Sequence, residues 1–139
     1  MKTTELRVGN LILDTFSLQS KEVVSLTLDD FQAMNNFKRS GIDNTYRPIP
    51  LTKEWLIKFG FENLDYICPE TSLVYSDDEF VLSICKYSKI VIQSDFSFGI
   101  EDSNRNDCIA FENDYICSVH QLQNLYFALT NKELTYENI

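Results

Sequence analysis

The stretch that decides the fold runs from Ser72 to Cys117 and reads SLVYSDDEFVLSICKYSKIVIQSDFSFGIEDSNRNDCIAFENDYIC. Short runs rich in β-branched and aromatic residues alternate there with polar turns, which is typical of successive strands joined by hairpins. The segments Ser76–Glu79 and Glu112–Asp114 suit two of these turns. From Phe80 to Cys85 both alternating faces are nearly apolar, so this strand should lie centrally in the sheet or be covered on both faces. The stretch predicts an antiparallel meander.

The residues before this stretch predict a second β element and a short helix. The runs ELRVGNLIL (Glu5–Leu13) and KEVVSLTL (Lys21–Leu28) have strand character, and Gly9-Asn10 marks a turn or bulge. An N-terminal hairpin is therefore expected. Thr27 is the predicted N-cap of a short helix that carries acidic residues in its first turn, and the polar segment Asn36–Pro48 is predicted to be a loop.

Two further helices have well-marked ends. Thr52 is the predicted N-cap of the first, Gly60 its left-handed stop, and Trp55 its core anchor. The second, VHQLQNLYFALT, follows Ser118, which has Gln121 at the capping-box spacing, and stops at Asn131. The sequence therefore predicts one α+β domain over residues 1–139, with an antiparallel sheet, two or three short helices and the C-terminal helix packed on the sheet.

Composition limits the class of protein. A chain of 139 residues with 44% hydrophobic and 13% aromatic residues is globular, and its length suits one domain. No apolar run approaches the roughly 18 residues of a membrane span, and the N-terminus lacks the apolar core of a signal peptide. The four cysteines, which form no CxxC pair, indicate a reducing compartment. A cytoplasmic protein with no membrane partner is expected.

The net charge of −9 is unevenly distributed: residues 1–70 hold 8 basic and 10 acidic side chains, and residues 71–139 hold 4 and 11. This excess opposes loose binding to phosphate backbones, so no direct nucleic acid ligand is expected. Lys38, Arg39, Arg47, Lys53 and Lys58 are nevertheless close enough in sequence to gather locally.

No motif in the chain carries a recognisable chemistry. GxGxxG, P-loop, GxSxG and HExxH patterns are absent from the sequence. The C-x-x-H from Cys117 to His120 lacks the second close pair that structural zinc sites usually have. The paired carboxylates fall in predicted turns or at a helix start, where local hydrogen bonding explains them. We therefore predict no catalytic residue, cofactor or metal, and four unbridged thiols.

The C-terminal helix presents two faces. Val119, Leu122, Leu125, Tyr126 and Leu129 share an arc of roughly 120°, which is the predicted core face. A second face contains His120, Asn124, Phe127 and Asn131. Two interpretations of this second face are open. Either a neighbouring segment covers Phe127 while the amides cap backbone groups, or the face binds a partner.

The run from Ser94 to Asp114 is strongly acidic, with six carboxylates and a lone Arg105. It is either a solvated edge that keeps the protein soluble or a surface that engages the basic groove of another protein, including a groove meant for nucleic acid. Under the second interpretation the binding residues would include Asp95, Glu101, Asp102 and Asp107.

Three segments resemble a known group of proteins: ELRVGN, YRPIPLTKEWLIKFGF (Tyr46–Phe61) and SVHQLQNLYFALTNKELT (Ser118–Thr135). They are similar to a family of small uncharacterised proteins encoded in phages and prophages of intestinal-type Gram-negative bacteria. Members carry IPLTEEWLLKFGF-like and VHQLQNLYFALTGEELT-like segments. Residues 62–110 show no such likeness, and Asn131 stands where members often have Gly.

The resemblance implies a protein of the bacterial host cytoplasm but transfers no activity. Placement on mobile elements, together with the acidic charge, favours a non-enzymatic interaction protein, most concretely an inhibitor of a host defence system of the anti-CRISPR kind. Its partner would be a host or phage protein. The alternatives are a small hydrolase or nucleotide-handling enzyme and a phage housekeeping or assembly factor.

Overall fold

A computed structural model describes residues 5–17, 20–41, 45–67, 74–102, 104 and 107–136. The chain divides into two compact units: unit 1 is Met1–Leu51 with Ser118–Glu133, and unit 2 is Thr52–Cys117 with Leu134–Ile139. Its elements in chain order are β1 (Leu11–Ser17), β2 (Ser20–Ser25), α1 (Leu28–Arg39), β3 (Tyr46–Arg47), α2 (Lys53–Lys58), β4 (Glu62–Ile67), β5 (Val74–Ser83), β6 (Ser88–Ile92), β7 (Ser97–Asp102), β8 (Asp107–Tyr115) and α3 (Val119–Thr130).

The architecture is α+β, as predicted, with two antiparallel sheets and three helices. The expectation of a single domain stays a prediction. Among the described residues, no helix has both the length and the apolar character that crossing a bilayer requires.

Unit 1 contains a three-stranded sheet with the order β2-β1-β3. β1 and β2 form the predicted N-terminal hairpin, in which Leu11 pairs with Ser25 and Leu13 with Val23. The predicted turn before β1 is also present, because Gly9 has a left-handed φ of 90° and Asn10 N–H donates to the Arg7 carbonyl at 3.1 Å. A side chain at position 9 would be strained in this conformation.

Helix α1 begins where predicted. Thr27 and Asp30 form a capping box, and Asp30 also accepts a 2.8 Å hydrogen bond from the Tyr46 hydroxyl. The helix runs further than predicted, to Arg39, so the first part of the expected loop Asn36–Pro48 is helical. Lys38 and Arg39 suit this last turn because cations are favourable at the negative end of the helix dipole.

The core of unit 1 lies between α1 and the sheet, where Met34 and Ile12 are almost completely buried. The other buried residues of this cluster are Leu6, Leu26 and Tyr46, with Val24 and Phe31 packed against them.

Helix α3 packs against β1 in unit 1. Ser118 N–H donates to Gln121 Oε1 at 3.2 Å, and Asn131 ends the helix with a left-handed φ of 54°, both as predicted. The predicted core face needs correction. Val119 and Leu122 are buried, but Leu129 is 39% exposed, and His120 and Gln123 are buried instead. The buried arc is therefore rotated around the helix axis toward His120 and Gln123 and away from Leu129.

Helix α2, in unit 2, begins at the predicted N-cap, where the Thr52 hydroxyl accepts Trp55 N–H at 3.4 Å. The chain reverses at Gly60 with a φ of 84°. Leu56 and Phe59 are the buried residues of this segment, whereas Trp55 is only half-buried. The indole stacks on Phe59 at 5.7 Å between ring centroids and meets Tyr136 edge-on, also at 5.7 Å.

The predicted meander is the five-stranded sheet of unit 2, with the order β4-β5-β6-β7-β8. Its buried side chains include Phe80, Ile90 and Ile92. Two predicted turns are wrong: β5 runs through Ser76–Glu79, and β8 runs through Glu112–Asp114. In both cases a shift of pairing register occurs nearby, so the polar residues fall in irregular strand segments rather than in turns.

Candidate functional site

The second face of α3 meets the segment that precedes β1, and Arg7 is the centre of this contact. Its Nε donates to Asn124 Oδ1 at 3.0 Å, and its Nη1 and Nη2 donate to the two carboxylate oxygens of Glu133 at 2.8 and 3.3 Å. The guanidinium carbon lies 4.0 Å from the centroid of the Phe127 ring. Arg7 therefore forms a bidentate ion pair and a cation–π contact at the same time.

The amides of α3 satisfy polar groups of the same N-terminal segment. Asn124 Nδ2 donates to the Glu5 carbonyl at 2.7 Å, and Asn124 Oδ1 accepts from Asn10 Nδ2 at 3.0 Å. Gln123, which is buried, accepts the Leu11 N–H at 2.8 Å through its Oε1. Asn124 and Gln123 thus pair with polar groups of the segment before β1, and Gln123 gives the buried Leu11 N–H its acceptor.

His120 was predicted to lie on the second face of α3 as a candidate partner-binding residue. That prediction required an exposed side chain, and in this respect it is wrong. Its side chain is 2% exposed, because α3 is rotated toward β1 relative to the predicted orientation. Nε2 lies 3.5 Å from the Ser118 hydroxyl, and Nδ1 has no hydrogen-bond partner in the described part of the chain. Burial lowers the pKa of the imidazole, and the nearby Glu5 carboxylate partly opposes that effect.

The four predicted residues of the α3 face therefore have different surroundings. Phe127 is half-buried beneath Arg7, Asn124 is engaged within unit 1, and Asn131 is exposed. Arg7 and Glu133 were not among the site residues predicted from the sequence. A role of this face in binding a partner stays a prediction.

Replacing Arg7 with methionine is expected to lower the free energy of unfolding by about 1–2 kcal/mol. The change keeps most of the aliphatic stem but removes the ion pair, which is worth up to about 1 kcal/mol, and the cation–π contact, which is worth about as much. Chemical denaturation measures the difference. Arg39→Met, at an exposed position, is the matched control and should change stability by less than about 0.5 kcal/mol. Equal effects of the two variants would contradict the importance of the Arg7 contacts.

The predicted acidic residues divide between the two ends of strand β7. Asp95 lies in the turn before the strand, where its Oδ1 accepts Ser97 N–H at 2.9 Å and the Ser97 hydroxyl at 2.6 Å. These hydrogen bonds lower the pKa of Asp95, which is fully exposed. The carboxylate is therefore fixed by its turn.

Glu101, Asp102 and Asp107 lie at the other end of β7, a strand that is roughly 17 Å long at about 3.4 Å per residue. The register of the β7–β8 hairpin sets Asp102 opposite Asp107 and Glu101 opposite Cys108. Asp102 also accepts the Asn104 N–H at 2.9 Å. On the other side, β6 sets Lys89 opposite Glu101. Tyr87, which is 42% exposed, immediately precedes β6 at this end of the sheet.

The charge of the chain is segregated between the two units. Counted over the sequence, unit 1 holds 7 basic and 7 acidic residues, whereas unit 2 holds 5 basic and 14 acidic residues. The whole net charge of −9 therefore belongs to unit 2. If the acidic residues served only to keep the protein soluble, they would not need to be concentrated in one unit.

The described residues differ in what they offer to a metal ion and to thiol chemistry. No group of three or more His, Cys, Asp or Glu side chains there is arranged to hold a metal ion. Cys85 and Cys117 are exposed thiols, and backbone and hydroxyl hydrogen bonds from Tyr87 and Ser88 lower the pKa of Cys85. Cys68 and the side chain of Cys108 lie outside the described part of the chain, so four unbridged thiols stay a prediction.

Comparisons with known proteins return no match, whether the chain is scanned against protein-family models or searched against curated proteins and solved structures. The function is therefore inferred from the contacts, charges and exposed side chains described above.

Proposed function

We propose that this chain is a non-enzymatic phage or prophage protein that inhibits a bacterial defence system by binding a basic surface of a host protein. The observation that carries the proposal is the segregation of charge, with all of the net −9 in unit 2. The resemblance of three sequence segments to phage and prophage proteins adds the biological context.

Charge concentrated on one unit has a specific physical effect. A field of one sign attracts an oppositely charged partner before contact and raises the association rate, and salt screens this attraction. Exposed charges add less to final affinity, since each also interacts well with water. Unit 2 is therefore proposed to guide the encounter with a basic groove.

The end of the sheet where β7 finishes is the proposed contact region. Glu101 and Asp102 are partly exposed there, and Tyr87 supplies a large amphipathic side chain beside them. Tyrosine is enriched at protein interfaces because it covers much area with few rotatable bonds. An acidic rim beside an exposed aromatic residue suits a basic protein groove better than it suits a nucleic acid.

Charge reversal in this region is expected to slow association with the partner. The full chain, tagged and incubated with host lysate, should retain one stoichiometric protein identified by mass spectrometry. Glu101→Lys with Asp102→Lys should reduce the association rate by about tenfold or more at low salt, with little effect on dissociation. Surface-plasmon kinetics at two salt concentrations separate these rates.

A matched control keeps the total charge change equal. Asp29→Lys with Glu62→Lys alters two exposed carboxylates elsewhere in the fold and should slow association much less.

Expression of the wild-type chain should also restore plaque formation by a CRISPR-targeted phage. The proposal fails if the partner is a phage structural protein, if plaque formation is not restored, or if both double variants behave alike.

A further inference from the structure

A second polar site, unrelated to the acidic surface, lies at the end of α1 in unit 1. An open surface depression of about 500 Å³ lies there, and the described residues that line it are Asn35, Lys38 and Arg39, all three exposed. The three residues occupy positions i, i+3 and i+4 of the helix, which places both cations on the same face as the amide. The volume falls within the range of roughly 300–1,000 Å³ that is usual for small-molecule pockets.

Neither Lys38 nor Arg39 forms an ion pair within the described part of the chain. Arg7–Glu133 is the ion pair found there, and no described carboxylate pairs with Lys38 or Arg39. At the end of the helix, the Asn36 and Lys38 carbonyls accept the N–H groups of Ser40 and Gly41 at 3.1 and 3.3 Å, so these two carbonyls need no side-chain donor. Apart from their favourable position at the negative end of the helix dipole, these two charged side chains therefore have no ion pair within the described residues.

The electrostatics of this site favour an anion. The helix dipole contributes roughly half a negative charge at this end, which the two full positive charges outweigh. Unit 1 has equal numbers of acidic and basic residues, so its own charge does not oppose an anion as that of unit 2 would. Within the described lining, the charged groups are all donors, and no carboxylate faces the depression.

We propose that the depression lined by Asn35, Lys38 and Arg39 binds a small molecule through a phosphoryl group. The Arg39 guanidinium offers a planar fork of N–H groups, the Lys38 ammonium a point charge, and the Asn35 amide a neutral donor between them. This combination matches the several oxygens of a phosphoryl group better than the two oxygens of a carboxylate. The remaining volume accommodates the rest of the molecule.

Titration of the full chain with inorganic phosphate and with adenosine 5′-monophosphate tests the proposal, with adenosine as the uncharged comparison. Backbone amide resonances from Asn35 to Gly41 should shift and saturate with at least one phosphoryl probe, but not with adenosine. Tighter binding of the nucleotide than of phosphate would identify an organic phosphate as the ligand class, and equal binding would identify the phosphoryl group alone.

Lys38→Gln with Arg39→Gln should weaken this binding at least tenfold while leaving the thermal melt nearly unchanged, because both side chains are exposed. Lys53→Gln with Lys58→Gln removes the same charge from α2 and should retain wild-type binding. The site is excluded if no phosphoryl probe saturates, if the Lys38/Arg39 double variant still binds normally, or if both double variants lose binding equally.

Discussion

Replacing Gln123 with leucine is expected to lower the free energy of unfolding of unit 1 by about 2–3 kcal/mol. The amide oxygen of Gln123 accepts the Leu11 N–H at 2.8 Å, and both residues are buried. Leucine has a similar volume, so the substitution opens little cavity and removes mainly this hydrogen bond and the longer one from Gln123 Nε2 to the Gly9 carbonyl at 3.5 Å. The cost comes from the Leu11 N–H, which would remain buried without an acceptor.

The measurement must report on unit 1. The one tryptophan of the chain, Trp55, belongs to unit 2, so its fluorescence would follow the wrong unit. Urea unfolding followed through NMR resonances of α3 avoids this difficulty. Gln32→Leu makes the same substitution at an exposed position of α1 and should change stability by less than about 0.5 kcal/mol. A Gln123→Leu variant as stable as this control would mean that the Leu11 N–H finds another acceptor.

The ends of the helices were predictable from sequence because their determinants are local. Thr27, Thr52 and Ser118 lie at the starts of their helices, and each cap joins residues only three positions apart. Asn131 and Gly60 adopt the left-handed conformation that ends a helix, which few residue types tolerate. The strands of the meander could also be predicted from the sequence, because alternation of polar and apolar residues and a high content of β-branched residues are local signals.

The buried face of α3 was not predictable in the same way. Periodicity assigns Gln123 and His120 to the surface because polar residues are usually exposed. The hydrogen bond that makes burial of Gln123 acceptable joins it to Leu11, 112 positions away in the sequence. No local pattern indicates such a partner, so the predicted core face was displaced toward Leu129.

For the candidate site, the sequence predicted which residues are acidic but not which of them lie close together. The sequence identified an acidic run, but the strand register decides which of its members are neighbours, and it separates Asp95 from the Asp102–Asp107 pair. Predicted turns failed because the chain accommodates polar residues in irregular strand pairings as well as in hairpin loops. The division of charge between the units became apparent only when α3 and its flanking residues were assigned to unit 1.

Acidification from about pH 6.5 is expected to destabilise unit 1 through its sole histidine. His120 is 98% buried, Nδ1 has no partner among the described residues, and the side chain lies in the first turn of α3. A positive charge there would be poorly hydrated and would face the positive end of the helix dipole. Burial accordingly lowers the pKa of His120 in the folded chain, and the Glu5 carboxylate offsets only part of the effect.

The sign of the pH dependence follows from this lowered pKa. Above the unfolded value of about 6.5 the imidazole is neutral in both states, and stability is fully present. As the pH falls, the unfolded chain takes up a proton that the folded chain does not, so stability decreases by up to about 1.4 kcal/mol per pH unit. The decrease levels off below the folded pKa. Asp30 and Asp95, whose pKa values are lowered, lose their own contributions only at more acidic pH, near the titration range of aspartate.

Urea unfolding of α3 resonances between pH 7 and pH 5 tests this, because histidine is the side chain whose ordinary pKa lies within that interval. His120→Gln keeps a polar side chain of similar length and cannot gain charge, so its stability should be nearly independent of pH there, whatever its absolute value. The wild-type chain should lose stability steadily over the same interval. Parallel pH profiles for the two proteins would show that the imidazole is protonated as easily in the folded state as in the unfolded state, and burial of His120 would then not control its charge.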